Sequence, residues 1–174
     1  ERAAAKLNMD VNQMVWFRTL HSFAFQMLGL QVKQVLGGKD YSKLGGLLGL
    51  EFTSNSSATM AEGILFRPGK SGDAYLSIIQ MARVRGVSIE QQFNDVADRR
   101  LHYQQLKLVD QVLRDYKKET GKVDFVDMIE DFIEQGDSPL LDVLIVDEAQ
   151  DLVPLQWRMV HEALKPNAKR IYYA

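Results

Sequence analysis

Asp147 and Glu148 are adjacent carboxylates that close an apolar run, Val143-Leu144-Ile145-Val146. A continuous apolar run of this length reads as a strand of a parallel sheet, buried on both faces. In open α/β sheets the carboxyl ends of such strands face the ligand crevice. An Asp there can hold Mg²⁺ on a nucleotide, usually through water. A Glu one residue on points elsewhere and can take a proton from an attacking water. Asp147 is thus the candidate metal-holding residue and Glu148 the candidate general base. The plainer alternative is a strand end whose acids are merely solvated. A metal-dependent nuclease using Asp147, Glu148 and Asp151 is a further possibility, but the lysine and spaced carboxylates that such sites need are not evident.

The elements around this pair suit an α/β domain with a helical insertion. Val15 to Leu20 is short, β-branched and aromatic and reads as a strand. His21 to Leu30 reads as a helix opened by Ser22. Residues 31–73 are rich in glycine and polar clusters and read as irregular, with short helical pieces. Helices are expected from about Asp73 to Arg83, from Ser88 to about Ala97, and from Leu101 to a stop at Gly121. Asp124 caps another helix carrying Phe125, Met128, Ile129, Phe132 and Ile133. After the acidic pair, Pro154 opens a helix with Leu155, Met159, Val160 and Ala163 on its apolar face. Ile171 to Tyr173 begins a last strand.

The acidic pair extends to Asp147-Glu148-Ala149-Gln150-Asp151, and this string resembles motif II of UvrD/Rep-type superfamily 1 helicases, DExQD. Thr19-Leu20-His21-Ser22-Phe23 is similar to that family's Thr-x-His-Ser element. Val123 to Ile129 looks like its Asp-Phe-x-Asp helix, and Glu1 to Leu7 like the tail of its motif Ia. The resemblance covers residues 1–28 and 122–174 and spans 29–121 only by position. It implies a partial RecA-like P-loop NTPase domain (1A-like) built from residues 1–28 and 122–174. It also implies a mostly helical insertion (1B-like) at 29–121. It implies that Thr19, His21 and Ser22 touch single-stranded DNA, and that Gln150 and Asp151 couple the ATP site to DNA. ATP and Mg²⁺ are the implied cofactors of the intact parent. Single-stranded DNA and the rest of the helicase chain are the implied partners.

The family's Gly-rich phosphate loop would precede Glu1. Gly63 to Ser71 imitates it but has five residues between its glycines where a P-loop has four. Beginning at Glu1 and ending before a motif III string, the chain reads as a piece of a longer protein. Alone it is expected to be inactive and to hold no cofactor tightly. The alternative is a non-catalytic helical DNA-binding or interaction module with a degenerate ATPase-like end. The chain has no cysteine, which excludes disulfides and thiolate chemistry. No apolar run nears the roughly 20 residues that span a bilayer, so no membrane partner and a cytoplasmic location are expected. Residues 121–174 carry 5 basic and 11 acidic groups, a net of -6, beside a basic middle of 13 and 10 over residues 29–120. That asymmetry suits a metal-nucleotide site next to a phosphate track.

Overall fold

The computed structural model describes residues 16–53, 69–96, 98, 100–135 and 138–174. The expected motif Ia tail at Glu1 to Leu7 and most of the P-loop-like string lie outside them. In chain order the helices are α1 (Leu20–Met27), α2 (Gly38–Leu48), α3 (Asp73–Arg85), α4 (Ile89–Val96), α5 (Tyr103–Thr120) and α6 (Phe125–Gln135). Strand β1 (Leu144–Val146) follows, then α7 (Pro154–Arg158) and strand β2 (Ile171–Tyr173). Helix α7 runs on through a π-helical turn, Met159–Leu164.

Strands β1 and β2 pair in parallel, with Leu144, Ile145 and Val146 opposite Ile171, Tyr172 and Tyr173. An isolated parallel bridge between Leu141 and Ala168 extends the ladder backwards. A parallel pair needs a crossover, and α7 with its π turn supplies it. Burial on both faces of β1 is not what the structure shows. Val146 is buried, whereas Ile145 is 65% exposed and its register partner Tyr172 54%. On one face Val146 joins residues of α1, α6 and the α7 segment in the core, while Ile145 and Tyr172 on the other face are exposed.

Two apolar cores form. One joins Ala24 of α1, Val126, Ile129 and Phe132 of α6, Val146 of β1, and Leu155, Met159 and Val160 of the α7 segment. The other joins Tyr41 and Leu44 of α2, Leu76 and Ile79 of α3, and Leu106, Val109 and Leu113 of α5. In α5 the buried positions follow steps of three and four, so this helix buries one narrow stripe and leaves the rest to solvent. Helix α3 serves both cores, because Val84 near its end belongs to the first.

Two adjacent chain stems also join the two cores. Val35 and Val123 form a parallel bridge. The Val123 N–H donates to Gln34 O at 2.8 Å, and the Leu36 N–H donates to Val123 O at 2.9 Å. Asp40 reinforces the join, accepting from Lys122 Nζ at 2.8 Å and from the Tyr116 hydroxyl at 2.8 Å.

Three local expectations differ from the structure. Trp16 to Thr19 forms no ladder, and the helix begins at Leu20. Its cap is Thr19 rather than Ser22: Thr19 is extended, and its Oγ1 accepts the Ser22 N–H at 3.2 Å. Residues 38–48 form a full helix despite Gly45 and Gly46. Gly45 is there for packing, since a Cβ at that position would lie 2.5 Å from the Leu50 carbonyl oxygen. The remaining boundaries follow their signals. Ser88 Oγ accepts the Gln91 N–H ahead of α4, Gly121 ends α5 at φ 64°, and Asp124 caps α6.

Candidate functional site

Strand β1 ends on Val146, and the chain reverses at once through Asp147 and Glu148. Glu148 has φ 51° and ψ 42°, the left-handed region, and it is the only non-glycine with positive φ among the described residues. For an L-residue with a long side chain this conformation costs about 1 kcal/mol or more, and it persists only where its surroundings fix it. Here they do. The Glu148 N–H donates to Asp147 Oδ1 at 3.1 Å, and the Asp151 N–H donates to Glu148 O at 2.9 Å. Ala149 is buried, and its N–H donates to the Ala174 carbonyl at 2.9 Å. The Ala174 N–H in turn donates to Val146 O at 3.0 Å. The acidic turn is therefore bonded to the end of the neighbouring strand, β2.

The side chains on this turn face solvent. Asp147, Glu148, Gln150 and Asp151 are all exposed. The Gln150 amide donates from Nε2 to Glu148 Oε2 at 2.6 Å. Among the described residues no group of three or more His, Cys, Asp and Glu side chains could hold a metal ion by itself. This donor set fits Mg²⁺ carried by a nucleotide, because Mg²⁺ in such sites takes one or two carboxylates and completes its shell with phosphate oxygens and water.

The Thr-x-His-Ser element lies at the head of α1, with its groups divided between surface and core. Thr19 is exposed and Ser22 half-buried, and Ser22 Oγ accepts from Arg18 Nη1 at 3.2 Å. His21 turns the other way. It is 7% exposed and sits edge-on to Phe125, with ring centroids 5.8 Å apart. Burial pushes its imidazole down to about 4, so the ring is neutral at pH 7. Phe23 lies edge-on to Phe132 with ring centroids 5.5 Å apart, and the exposed Trp16 ring is tilted beside it at 6.1 Å. Trp157 stacks on His161 at 5.3 Å.

A charged node beside α6 is invisible in the sequence pattern. Arg83 of α3 binds Asp124 at 3.2 Å and Asp127 at 2.6 Å, and also pairs with Glu130. Lys117 of α5 binds Asp124 at 3.0 Å and Asp127 at 2.8 Å. Burial alone would raise the Asp124 carboxyl, but the Lys117 ammonium and Arg83 guanidinium outweigh it and hold the group below the usual carboxylate range. Arg83, Lys117, Asp127 and Glu130, but not the buried Asp124, line an open cleft of about 250 Å³ between α3, α5 and α6, together with Asp110 and Arg114. The Asp-Phe-x-Asp string marks Asp124 only as a helix cap. Arg83 lies 41 residues back from it, and neither cation carries a local signal of the pairing.

The family model of the UvrD/REP helicase N-terminal domain matches residues 1–172. The chain belongs to the UvrD/REP helicase family. Helicases of this family generally use ATP with Mg²⁺ and act on DNA. Neither curated proteins nor solved structures gave a match to this UvrD/REP chain. No helix among the described residues is long and apolar enough to cross a membrane.

Proposed function

We propose that this UvrD/REP chain is the central part of the first RecA-like domain of an ATP-dependent DNA helicase, which couples ATP hydrolysis to translocation on single-stranded DNA. One observation carries the proposal: a parallel strand ends in Asp147 and Glu148, with Glu148 fixed in a left-handed turn bonded to the neighbouring strand. Asp147 would hold Mg²⁺ through water, and the ion, when bound, would neutralise phosphate charge. Glu148 accepts one proton from the water whose oxygen attacks the γ-phosphorus, as the bond from that phosphorus to the ADP oxygen breaks. Gln150 and Asp151 belong to the same turn and would couple the ATP site to DNA, while Ala149 between Glu148 and Gln150 ties that turn, through Ala174, to the end of the strand that follows.

Thr19 and Ser22, with Arg18 beside them, are the groups of the Thr-x-His-Ser element that can meet a phosphate backbone. His21 serves the same element from inside, wedging α1 against Phe125. Residues 1–28 and 122–174 are proposed as the RecA-like part and 29–121 as the helical insertion. Support comes from the bridge between Val35 and Val123, which brings the two stems of the insertion together. The isolated chain contains no Gly-rich loop with its lysine, so it is expected not to turn over ATP by itself.

The test is Mg²⁺-dependent ATP hydrolysis by the full-length helicase that carries this domain, with and without a single-stranded oligonucleotide. Turnover should rise with the oligonucleotide and fall to background in Asp147→Asn. Turnover indifferent to single-stranded DNA contradicts the proposal.

A further inference from the structure

We infer that Gln150 is a positioning residue that sets the rotamer of the Glu148 carboxylate, resting on the assignment of Glu148 as the general base.

A base must stand within hydrogen-bond reach of the water it deprotonates, and small misplacements are costly. The Glu148 backbone has almost no freedom, since its N–H, its C=O and the N–H of the next residue are all engaged. The side chain is different. It is exposed, and a glutamate has three rotatable bonds. Among the described residues its one side-chain hydrogen bond is to the Gln150 amide, at 2.6 Å.

The geometry explains why a glutamine suits this position. The turn Ala149–Asp151 is a single 3-10 turn, which puts residue 150 two positions beyond the base and within side-chain reach of it. A neutral N–H donor holds one carboxylate oxygen, Oε2, and leaves Oε1 to take the proton. A lysine or arginine at 150 would form an ion pair and weaken the base, and an acid would repel it. Because Ala149 is bonded to Ala174, a shift of the β2 end moves the turn from which Gln150 reaches Glu148. The carboxylate would move with that strand.

The experiment measures kcat and KM for ATP of the full-length helicase at saturating single-stranded DNA. It compares wild type, Gln150→Ala, Gln150→Glu, Glu148→Gln and the double variant Gln150→Ala/Glu148→Gln. Gln150→Ala should lower kcat by about tenfold to a hundredfold, the range for a displaced catalytic group, with KM changed by less than about twofold. Gln150→Glu, matched in size, should lose at least as much, and it keeps the test open if Gln150→Ala does not fold. In the Glu148→Gln background the alanine should cost nothing further, because the group it positions is already gone. Full kcat in Gln150→Ala beside an inactive Glu148→Gln overturns the role of Gln150 and leaves the base assignment standing. Independent, multiplying losses in the double variant do the same. Near-normal turnover in Glu148→Gln overturns both.

Discussion

The Arg83 guanidinium at the end of α3 meets the Asp124 carboxylate at the head of α6 in a buried ion pair, 3.2 Å from Nη1 to Oδ2, across 41 residues of sequence. Lys117 reaches the same carboxylate from α5 at 3.0 Å. Asp124 also accepts the Val126 and Asp127 N–H groups at 2.9 Å each, so one side chain both caps α6 and fastens two helices of the second core to it. The helix that precedes the acidic turn is thereby held to the helical part of the chain.

Removing Asp124 takes away the cap of α6 and one carboxylate of the node, while Asp127 and Glu130 keep Arg83 and Lys117 paired, a loss of about 1–3 kcal/mol. Asp124→Ala should lower unfolding stability by that amount, measured by urea denaturation at pH 7. Asp127→Ala, whose side chain is 16% exposed, should cost less. An Asp124→Ala midpoint equal to wild type would mean that the node does not hold α6 in place.

His21 gives the domain an acid sensitivity of known sign. Its folded-state value is lowered from 6.5 to about 4 by burial, so the unfolded chain binds the proton more readily. Stability is full above pH 6.5 and is lost as pH falls towards 4. Between pH 7 and pH 5 this amounts to about 2 kcal/mol, at about 1.4 kcal/mol per pH unit. His21→Gln should flatten the fall in urea midpoint between those pH values by that amount. An unchanged slope would mean that His21 is open to solvent.

Much of the molecule is legible in its sequence, and the failures have physical causes. Helices α5 and α6 announce themselves through apolar spacing plus a terminal Gly121 and a capping Asp124. Helix α2 does not, because Gly45 and Gly46 lower its propensity and its stability comes from burying Tyr41 and Leu44. Trp16 and Phe17 look like strand residues, but they are more than half exposed and pair with no described strand, while Thr19 is committed to capping α1. The composition of β1 suggests burial of both faces, yet composition does not say which neighbours cover a strand. At the site, residue types and spacing expose Asp147 and Glu148. They cannot reveal the left-handed torsion of Glu148, the Gln150 contact, or that His21 faces inward.

The torsion of Glu148 makes a separable prediction. Glycine adopts φ near 51° without a Cβ penalty. Glu148→Gly should therefore be as stable as wild type or more stable by about 0.5–1 kcal/mol, while Glu148→Val should be less stable. Thermal melts of the three proteins check this. A clear loss of stability in Glu148→Gly would mean that the turn is not strained.

The most direct measurement is Glu148→Gln in the full-length helicase, followed by both ATP hydrolysis and nucleotide binding. Removing a general base costs about 10²–10⁴ in rate. Hydrolysis stimulated by single-stranded DNA should fall by at least about a hundredfold while ATP still binds with its original affinity. Near-normal turnover in this variant would contradict the assignment of Glu148 as the base and, with it, the catalytic role of the acidic turn.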